Sequence, residues 1–253
     1  MKNLVYRLYE RSLERQLAAD DMPRHVAVIL DGNRRWAERQ GGVRASHGHA
    51  VGAKKTIEFL GWCDELGIKV VTLYLLSTDN LKGRTGGELA ELLEIIGQLA
   101  HDLAATSKWR LQLVGDRASL PDSLAKAIGQ AEQATADIEA MHVNLAVGYG
   151  GRKEIADAMR SILKSHSSQG TSIDELAELL DPDLITQHLY TSGQPDPDLI
   201  IRTSGEQRLS GFLLWQSAQS EFYFEEALWP DFRRLDFLRA IRAFESRHRR
   251  FGA

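Results

Sequence analysis

Two short segments concentrate the residues able to do chemistry. In the first, the apolar run His25-Val-Ala-Val-Ile-Leu ends in Asp31-Gly32-Asn33-Arg34-Arg35-Trp36. In the second, Asp198-Leu-Ile-Ile ends in Arg202-Thr-Ser-Gly-Glu-Gln-Arg208-Leu-Ser210. Each is an apolar strand that breaks off into charged, glycine-containing sequence. In an open parallel sheet, ligands bind beyond the carboxyl ends of the strands, and both segments deliver polar groups there. Guanidinium forks match phosphate oxygens. Backbone N–H groups at a helix start bind phosphate, and Gly32 lets the backbone approach closely. A carboxylate beside such groups suits Mg²⁺ and phosphate esters, which points to an enzyme. Asp31 alone is explained as well by a helix N-cap, but the polar or flexible residues that follow it shift the balance to a site. An arginine ending an apolar strand fits poorly as a surface ion pair.

Other positions carry weaker signals. His47-Gly48-His49 with Gly52 lies near Arg44, before a helix expected over 53–66. Two histidines there could hold a phosphate or donate a proton. No His-Glu-x-x-His is present, which argues against zinc. Ser77-Thr-Asp-Asn80 follows an apolar run at 69–76, and Asn80 is either a polar group at a strand end or part of a turn. Gly148-Tyr-Gly150-Gly151-Arg152 matches neither the dinucleotide fingerprint nor the phosphate loop. A tight structural turn explains it at least as well as ligand contact. Glu221 sits among the aromatics of Gln219-Ser-Glu-Phe-Tyr-Phe224, as a carboxylate buried with a partner or a metal ligand. The basic end, Arg247-His-Arg-Arg250-Phe-Gly252, is a solvated tail or an arm closing over an anionic ligand in a neighbouring subunit.

The elements that must position these residues alternate. Apolar, β-rich runs at 25–30, 69–76, 110–114, 142–147, 198–202 and 211–214 are separated by helical patterns such as Leu89, Leu92, Leu93, Ile96, Leu99 and Leu103. The predicted fold is α/β, a single domain with a mostly parallel six-stranded sheet flanked by helices. A length of 253 residues suits one such domain. Ser165–Ser172 reads as an exposed loop and Thr85-Gly-Gly87 as a flexible joint. Residues 3–19 read as a helix with Leu4, Leu8, Leu13 and Leu17 on a loose stripe. That helix is expected to dock on the body, the alternative being a weak peripheral membrane or partner contact. Met22-Pro23 separates this 1–22 extension from the domain at 23–253.

A net charge of −4 argues against a nucleic-acid partner, so any phosphate site must be a local concentration of arginine. Cys63 is the only cysteine, which excludes an internal disulfide and a cysteine zinc site and fits a reducing compartment. No apolar run approaches the roughly 20 residues that span a bilayer. Arg7, Glu10, Arg11, Glu14 and Arg15 interrupt any signal core at the start. A cytoplasmic protein is expected.

Taken together, these residues resemble the cis-prenyltransferase family, which includes the undecaprenyl diphosphate synthases. The resemblance runs from Pro23 to Gly252. It rests on Asp31-Gly-Asn-x-Arg-Trp36, Gly48-His49-x-x-Gly52, Ser77-x-x-Asn80, Arg202-Thr-x-Gly-Glu-x-Arg208-x-Ser210, Leu-Trp-Pro-Asp231-Phe and Arg250-x-Gly252. It implies Mg²⁺-dependent condensation of isopentenyl diphosphate with an allylic diphosphate, the growing chain lying in an apolar tunnel between sheet and helices. In that reading Asp31 coordinates Mg²⁺, with a contribution from Glu221. Gly32, Asn33, Arg34, Arg35, Trp36, Arg44 and His49 form the allylic diphosphate site. Arg202, Arg208 and Ser210 hold isopentenyl diphosphate, and Ser77 and Asn80 belong to the reacting centre. Arg250 and Gly252 reach across a homodimer interface.

This chain departs from the pattern in three places. Arg34 stands where many relatives have glycine, the stretch from Arg44 to Gly48 is one residue longer than in long-chain enzymes, and Gly83 replaces a common basic residue. Leu75 stands where long-chain enzymes carry a small residue such as alanine. Leu75-Leu76-Ser77-Thr78 and the N-terminal helix look like the short-chain actinobacterial (2Z,6E)-farnesyl diphosphate synthases. The resemblance therefore implies a short product made from geranyl diphosphate, with Leu75 as the stop. The alternatives are a longer-chain synthase and a non-catalytic partner subunit. A dehalogenase-type phosphohydrolase would want a second aspartate where Asn33 stands.

Overall fold

Short runs that are apolar at every position form strands here because helices cover both faces of the sheet. The computed structural model describes residues 10–17, 22–83 and 86–251, with the backbone alone for residues 82 and 248–251. Six strands, β1 His25–Ile29, β2 Val70–Ser77, β3 Arg110–Val114, β4 His142–Tyr149, β5 Leu199–Arg202 and β6 Glu221–Phe224, lie in the order β3-β4-β2-β1-β5-β6. Every neighbouring pair is parallel. α1 (Asn33–Arg39) and α2 (Ala45–Glu65) follow β1, and α3 (Thr78–Gly83) and α4 (Gly86–Ala105) follow β2. α5 (Asp122–Ala134) joins β3 to β4. α6 (Gly151–Ser168), α7 (Ile173–Leu179) and α8 (Pro182–Gln187) lead to β5, and α9 (Arg234–Phe251) ends the fold.

Successive side chains of a strand point to opposite faces, so β1 serves two cores. Val26 and Val28 enter the larger one, with Phe59 and Leu60 of α2, Leu92, Ile96 and Leu99 of α4, and Phe237 and Ile241 of α9. Ala27 and Ile29 enter the smaller one, with Tyr149, Ile200, Phe212 and Leu213. The register of β2 against β4 passes from Tyr74↔Ala146 to Leu76↔Val147, leaving Leu75 as a bulged residue. A bulge breaks the alternation, and Leu75 and Leu76 both pack with the larger core.

Several expectations need correcting. The sixth strand is Glu221–Phe224. Residues 211–214 form a turn whose Phe212 and Leu213 plug the smaller core. Helix α2 begins at Ala45, so His47, Gly48 and His49 lie within its first turns. Helix α6 runs through the first half of the expected loop at 165–172, to Ser168, and Ser172 caps α7 in a reciprocal pair with Glu175. Gly86 and Gly87 open α4 where a flexible joint was expected. Leu4 and Leu8 lie outside the described residues. Residues 10–14 are helical and docked: Leu13 is buried against Leu235 and Leu238, and Glu14 pairs with Arg234 at 2.5 Å.

A buried polar ladder ties the strands to the segment entering β5. His25 Nδ1 lies 2.7 Å from the Pro195 carbonyl, and its Nε2 lies 2.8 Å from Thr72 Oγ1. Thr72 Oγ1 also accepts from Asn144 Nδ2 at 3.0 Å. A carbonyl can only accept, so His25 donates from Nδ1 and its Nε2 accepts from the Thr72 hydroxyl. That arrangement needs a neutral ring, and burial pushes the His25 pKa down to about 4.

Between about pH 4 and 6.5 the unfolded chain therefore binds a proton that the folded chain refuses. Stability rises with pH across that window, is fully present above about 6.5 and is lost as pH falls to about 4. The expected difference is about 3 kcal/mol at 1.4 kcal/mol per pKa unit. Urea denaturation at pH 7 and pH 4 checks this, and His25→Gln flattens the dependence.

Candidate active site

The topology ends β1 beside β5, with Ile29 opposite Arg202. Two residues past Ile29, the Asp31 carbonyl accepts hydrogen bonds from Thr203 Oγ1 (2.7 Å) and the Trp229 N–H (3.0 Å), which fixes the backbone there. Gly32 follows with φ 107° and is the N-cap of α1. A Cβ at Gly32 would stand 2.8 Å from Leu228 Cδ2, so glycine is required both for φ and for space. Asp31 is thus not the cap. Its Oδ1 accepts the Gly32 N–H at 2.8 Å, and its Oδ2 accepts from Arg202 Nη2 at 2.8 Å.

Arg202 is 3% exposed. Its Nη1 donates to Ser210 Oγ at 2.9 Å and to the Arg208 carbonyl, while its Nε has no partner. Arg35, one helical turn beyond Asp31, brings Nη2 to 3.9 Å from Asp31 Oδ1 and donates from Nη1 to the Ser204 carbonyl. Arg202 and Arg35 thus meet at one partly exposed carboxylate, while the Arg208 guanidinium pairs with Glu206 at the same cleft. Neutral α2 glycines complete the arrangement. A Cβ at Gly48 would lie 2.1 Å from the Asn33 carbonyl oxygen, and one at Gly52 2.1 Å from Asn33 Oδ1. Only glycine lets α2 approach α1 this closely. Asn33 Nδ2 donates to the Leu30 carbonyl at 3.0 Å.

These groups open onto a cleft of about 480 Å³. Its polar lining includes Asp31, Gly32, Asn33, Arg34, Arg35 and His49, and from other elements Ser77, Asn80, Arg202, Arg208 and Ser210. The Asn80 N–H donates to Ser77 Oγ at 3.0 Å, which ties α3 to the end of β2. Its apolar lining includes Leu75 and Leu76 from β2, Leu92, Ile95, Ile96 and Leu99 from α4, and Ala53 from α2, with Thr56 beside it. A cleft that is cationic at the strand ends and apolar between sheet and helices suits an amphiphile with an anionic head and a hydrocarbon tail.

The remaining expected residues are elsewhere. Trp36 donates from Nε1 to Asp231 Oδ1 at 2.9 Å and stacks on His47, and it does not line the cleft. His47 and His49, two positions apart on a helix, point about 200° apart, so only His49 enters the cleft. Arg44 is largely exposed, pairs with Glu91 at 3.3 Å, and lines a separate outer groove. Glu221 opens β6 opposite Leu199, three residues before the level of Arg202 and so about 10 Å short of it. It pairs with Arg247 at 2.8 Å, and within one chain it does not join Asp31. The Arg250 side chain and Gly252 lie outside the described residues.

The sequence reading missed Asp79, Thr56 and Ile95 as cleft residues. Leu92, Ile96 and Leu99 stood out only as a helical stripe, which looks the same whether it faces core or cavity. Among the described residues no three His, Cys, Asp or Glu side chains gather as a metal cage.

Residues 29–252 match the family model described as "Putative undecaprenyl diphosphate synthase". The (2Z,6E)-farnesyl diphosphate synthase of Thermobifida fusca is 57% identical over 98% of this chain and 97% of its own. The corresponding enzyme of Mycobacterium tuberculosis is 50% identical over 100% and 97%, and isoprenyl transferase 1 of Streptomyces avermitilis 54% over 100% and 97%. The crystal structure of lavandulyl diphosphate synthase from Lavandula x intermedia, in complex with dimethylallyl diphosphate, superimposes with a TM-score of 0.83. It is 35% identical and covers 89% of this chain and 96% of that one.

The close approach of α2 to α1 makes Gly52→Ala a sharp test. The new methyl forces Asn33 aside, with Trp229 Cδ1 3.1 Å from it on another side. A loss of about 1–3 kcal/mol is expected, read as a lowered midpoint in urea denaturation.

Proposed function

This chain belongs to the undecaprenyl diphosphate synthase family of cis-prenyltransferases, and from that premise we propose that it adds one isopentenyl diphosphate to geranyl diphosphate and releases (2Z,6E)-farnesyl diphosphate. The observation that carries the short-chain reading is the cleft itself. Its anion-binding end leads into an apolar space that the bulged Leu75, with Leu76 beside it, narrows from the β2 side while Ile95 and Ile96 face in from α4.

The chemistry asks for separation of charge. The allylic C–O bond breaks, pyrophosphate leaves with the electron pair, the terminal alkene carbon of isopentenyl diphosphate bonds to the allylic carbon, and a proton is lost. Fixed positive charge placed where negative charge develops lowers that barrier. Arg35, His49 and the backbone N–H groups at the start of α1 hold the allylic diphosphate, with Arg34 at the rim. Arg202, Arg208 and Ser210 hold the diphosphate of isopentenyl diphosphate. Ser77 and Asn80 orient the reacting carbons. The apolar walls exclude water from the allylic cation.

Mg²⁺ fits this donor set. It binds through one or two carboxylates together with substrate phosphate oxygens and retained waters, and Asp31 is a partly exposed carboxylate aimed into an anion-binding cleft. When bound, the ion neutralises charge on the departing pyrophosphate. Glu221 has no part in that site within a single chain.

The assembly we propose is a homodimer in which the C-terminal arm carrying Arg250 and Gly252 reaches a partner's site. The edge strand β6 supports it, since among the described residues no strand pairs with its outer side and Phe224 is exposed. Among the described residues no helix is long and apolar enough to cross a membrane. A reducing, cytosolic setting suits Cys63, a single buried thiol.

Incubation with Mg²⁺, labelled isopentenyl diphosphate and geranyl diphosphate is expected to yield one fifteen-carbon product. A ladder of long chains would instead make Leu75 ordinary core and the enzyme a longer-chain synthase, and complete inactivity would leave a non-catalytic partner subunit. Leu75→Ala is expected to extend the products. Asp31→Asn is expected to lower kcat by about 10²–10³-fold, with the circular-dichroism spectrum unchanged.

A further inference from the structure

The glycine-rich turn between β4 and α6 does not line the cleft, yet it touches both elements that do chemistry there. A Cβ at Gly150 would lie 2.7 Å from Thr78 Oγ1, on the helix that carries Asn80. The Gly151 N–H donates to the Gly211 carbonyl at 2.8 Å, and a Cβ there would meet that oxygen at 2.7 Å and Leu214 Cγ at 2.8 Å. Gly211 is the residue after Ser210.

The turn carrying Ser210 is strained. Ser210 and Leu213 have φ of 51° and 43°, a region that costs side-chain-bearing residues free energy and persists only where the surroundings over-determine it. Three contacts do so. One is the Gly151 amide. The second is Phe212, stacked on Tyr74 at 4.6 Å and meeting Tyr149 edge-on at 6.0 Å. The third is Gln216, whose Nε2 donates to Glu154 Oε1 at 3.1 Å and to Thr191 Oγ1 at 2.9 Å. Two of the three converge on Glu154, because its Oε2 also accepts the Tyr149 hydroxyl. Glu154 Oε1 further accepts the Tyr190 N–H at 3.0 Å.

Glu154 is 1% exposed and its donors are all neutral, so burial pushes its carboxyl above the usual range. Its hydrogen bonds tie α6 to the end of β4, to the segment leading into β5 and, through Gln216, to the anion-binding turn.

We infer that Glu154 is a positioning residue for the condensation, holding Ser210 and the Arg208 carbonyl against Arg202 through Gln216 and through Tyr149 and Phe212. The inference rests on the cis-prenyltransferase reading above. The isopentenyl diphosphate half of the cleft depends on this bracket. The allylic half, built on β1 and α1, does not.

The test compares the full-length wild type with Glu154→Ala, Glu154→Gln and Gln216→Ala. Glu154→Ala is expected to raise KM for isopentenyl diphosphate about tenfold, a modest share of what a misplacement of about 1 Å can cost, with KM for geranyl diphosphate unchanged. Glu154→Gln, which keeps an acceptor for Gln216, is expected to restore most of the loss. Gln216→Ala, which spares the packing around Tyr149, is expected to move the same KM in the same direction. Equal rises in both KM values, or a lowered melting temperature with no selective change, would overturn the inference. Calorimetric binding of isopentenyl diphosphate to wild type and Glu154→Ala needs no turnover. It separates a failure of the positioning role from a failure of the assigned reaction, which would appear as an inert wild type.

Discussion

The pairing of Asp31 with Arg202 is the contact on which the cleft depends. Each residue is delivered by the end of a parallel strand, and the two strands are neighbours, so the pair exists only if the sheet order places β5 beside β1. Arg202 is almost fully buried, while the Asp31 side chain is about a third exposed. A buried guanidinium needs a counter-charge, and removing one partner of a buried pair costs about 3–5 kcal/mol, less where one partner is wetted as here. Arg202 also binds Ser210 and the Arg208 carbonyl. One side chain therefore links the acid of the first segment to the anion-binding turn of the second. The two halves of the cleft thus meet at this one ion pair.

Around that pair, the packing is a matter of close approach. Gly32 passes under Leu228, Gly48 and Gly52 let α2 lie on Asn33, and Gly151 lets α6 meet Gly211. At these points a methyl group would collide with backbone or with a residue of the cleft. These glycines let separate elements meet through close backbone contacts.

Much of this was legible in the sequence because the fold is parallel and covered on both faces. Continuous apolar runs then mark strands, and the polar residues that end them mark the reactive edge. Asp31, Arg35, His49, Asn80, Arg202, Arg208 and Ser210 are recognised in this way or through the family resemblance, and all line the cleft. The same signal misleads at 211–214, because an apolar plug and a buried strand have the same composition. It misses β6, whose residues are only partly buried. Trp36 and Arg44 look like site residues by their neighbours in sequence, but helical rotation turns Trp36 to Asp231 and exposure leaves Arg44 to Glu91. Glu221 stands apart from Asp31 within one chain for a topological reason: it begins a parallel strand, whereas Asp31 follows the end of one.

The apolar half of the cleft was the least legible because hydrophobicity does not distinguish a side chain that packs from one that borders a cavity. What distinguishes them here is the bulge at Leu75. In a regular strand Leu75 and Leu76 would face opposite sides of the sheet, and one leucine would point into the smaller core. The extra residue turns both toward α4, so the space beyond the reacting centre is bounded by two side chains where a regular strand would supply one. The shape of that space is thus set by backbone register as much as by side-chain size. A substitution at Leu75 that preserved the bulge would leave Leu76 in place as a second boundary. The boundary of that space is accordingly shared between the β2–β4 ladder and the side chain at Leu75.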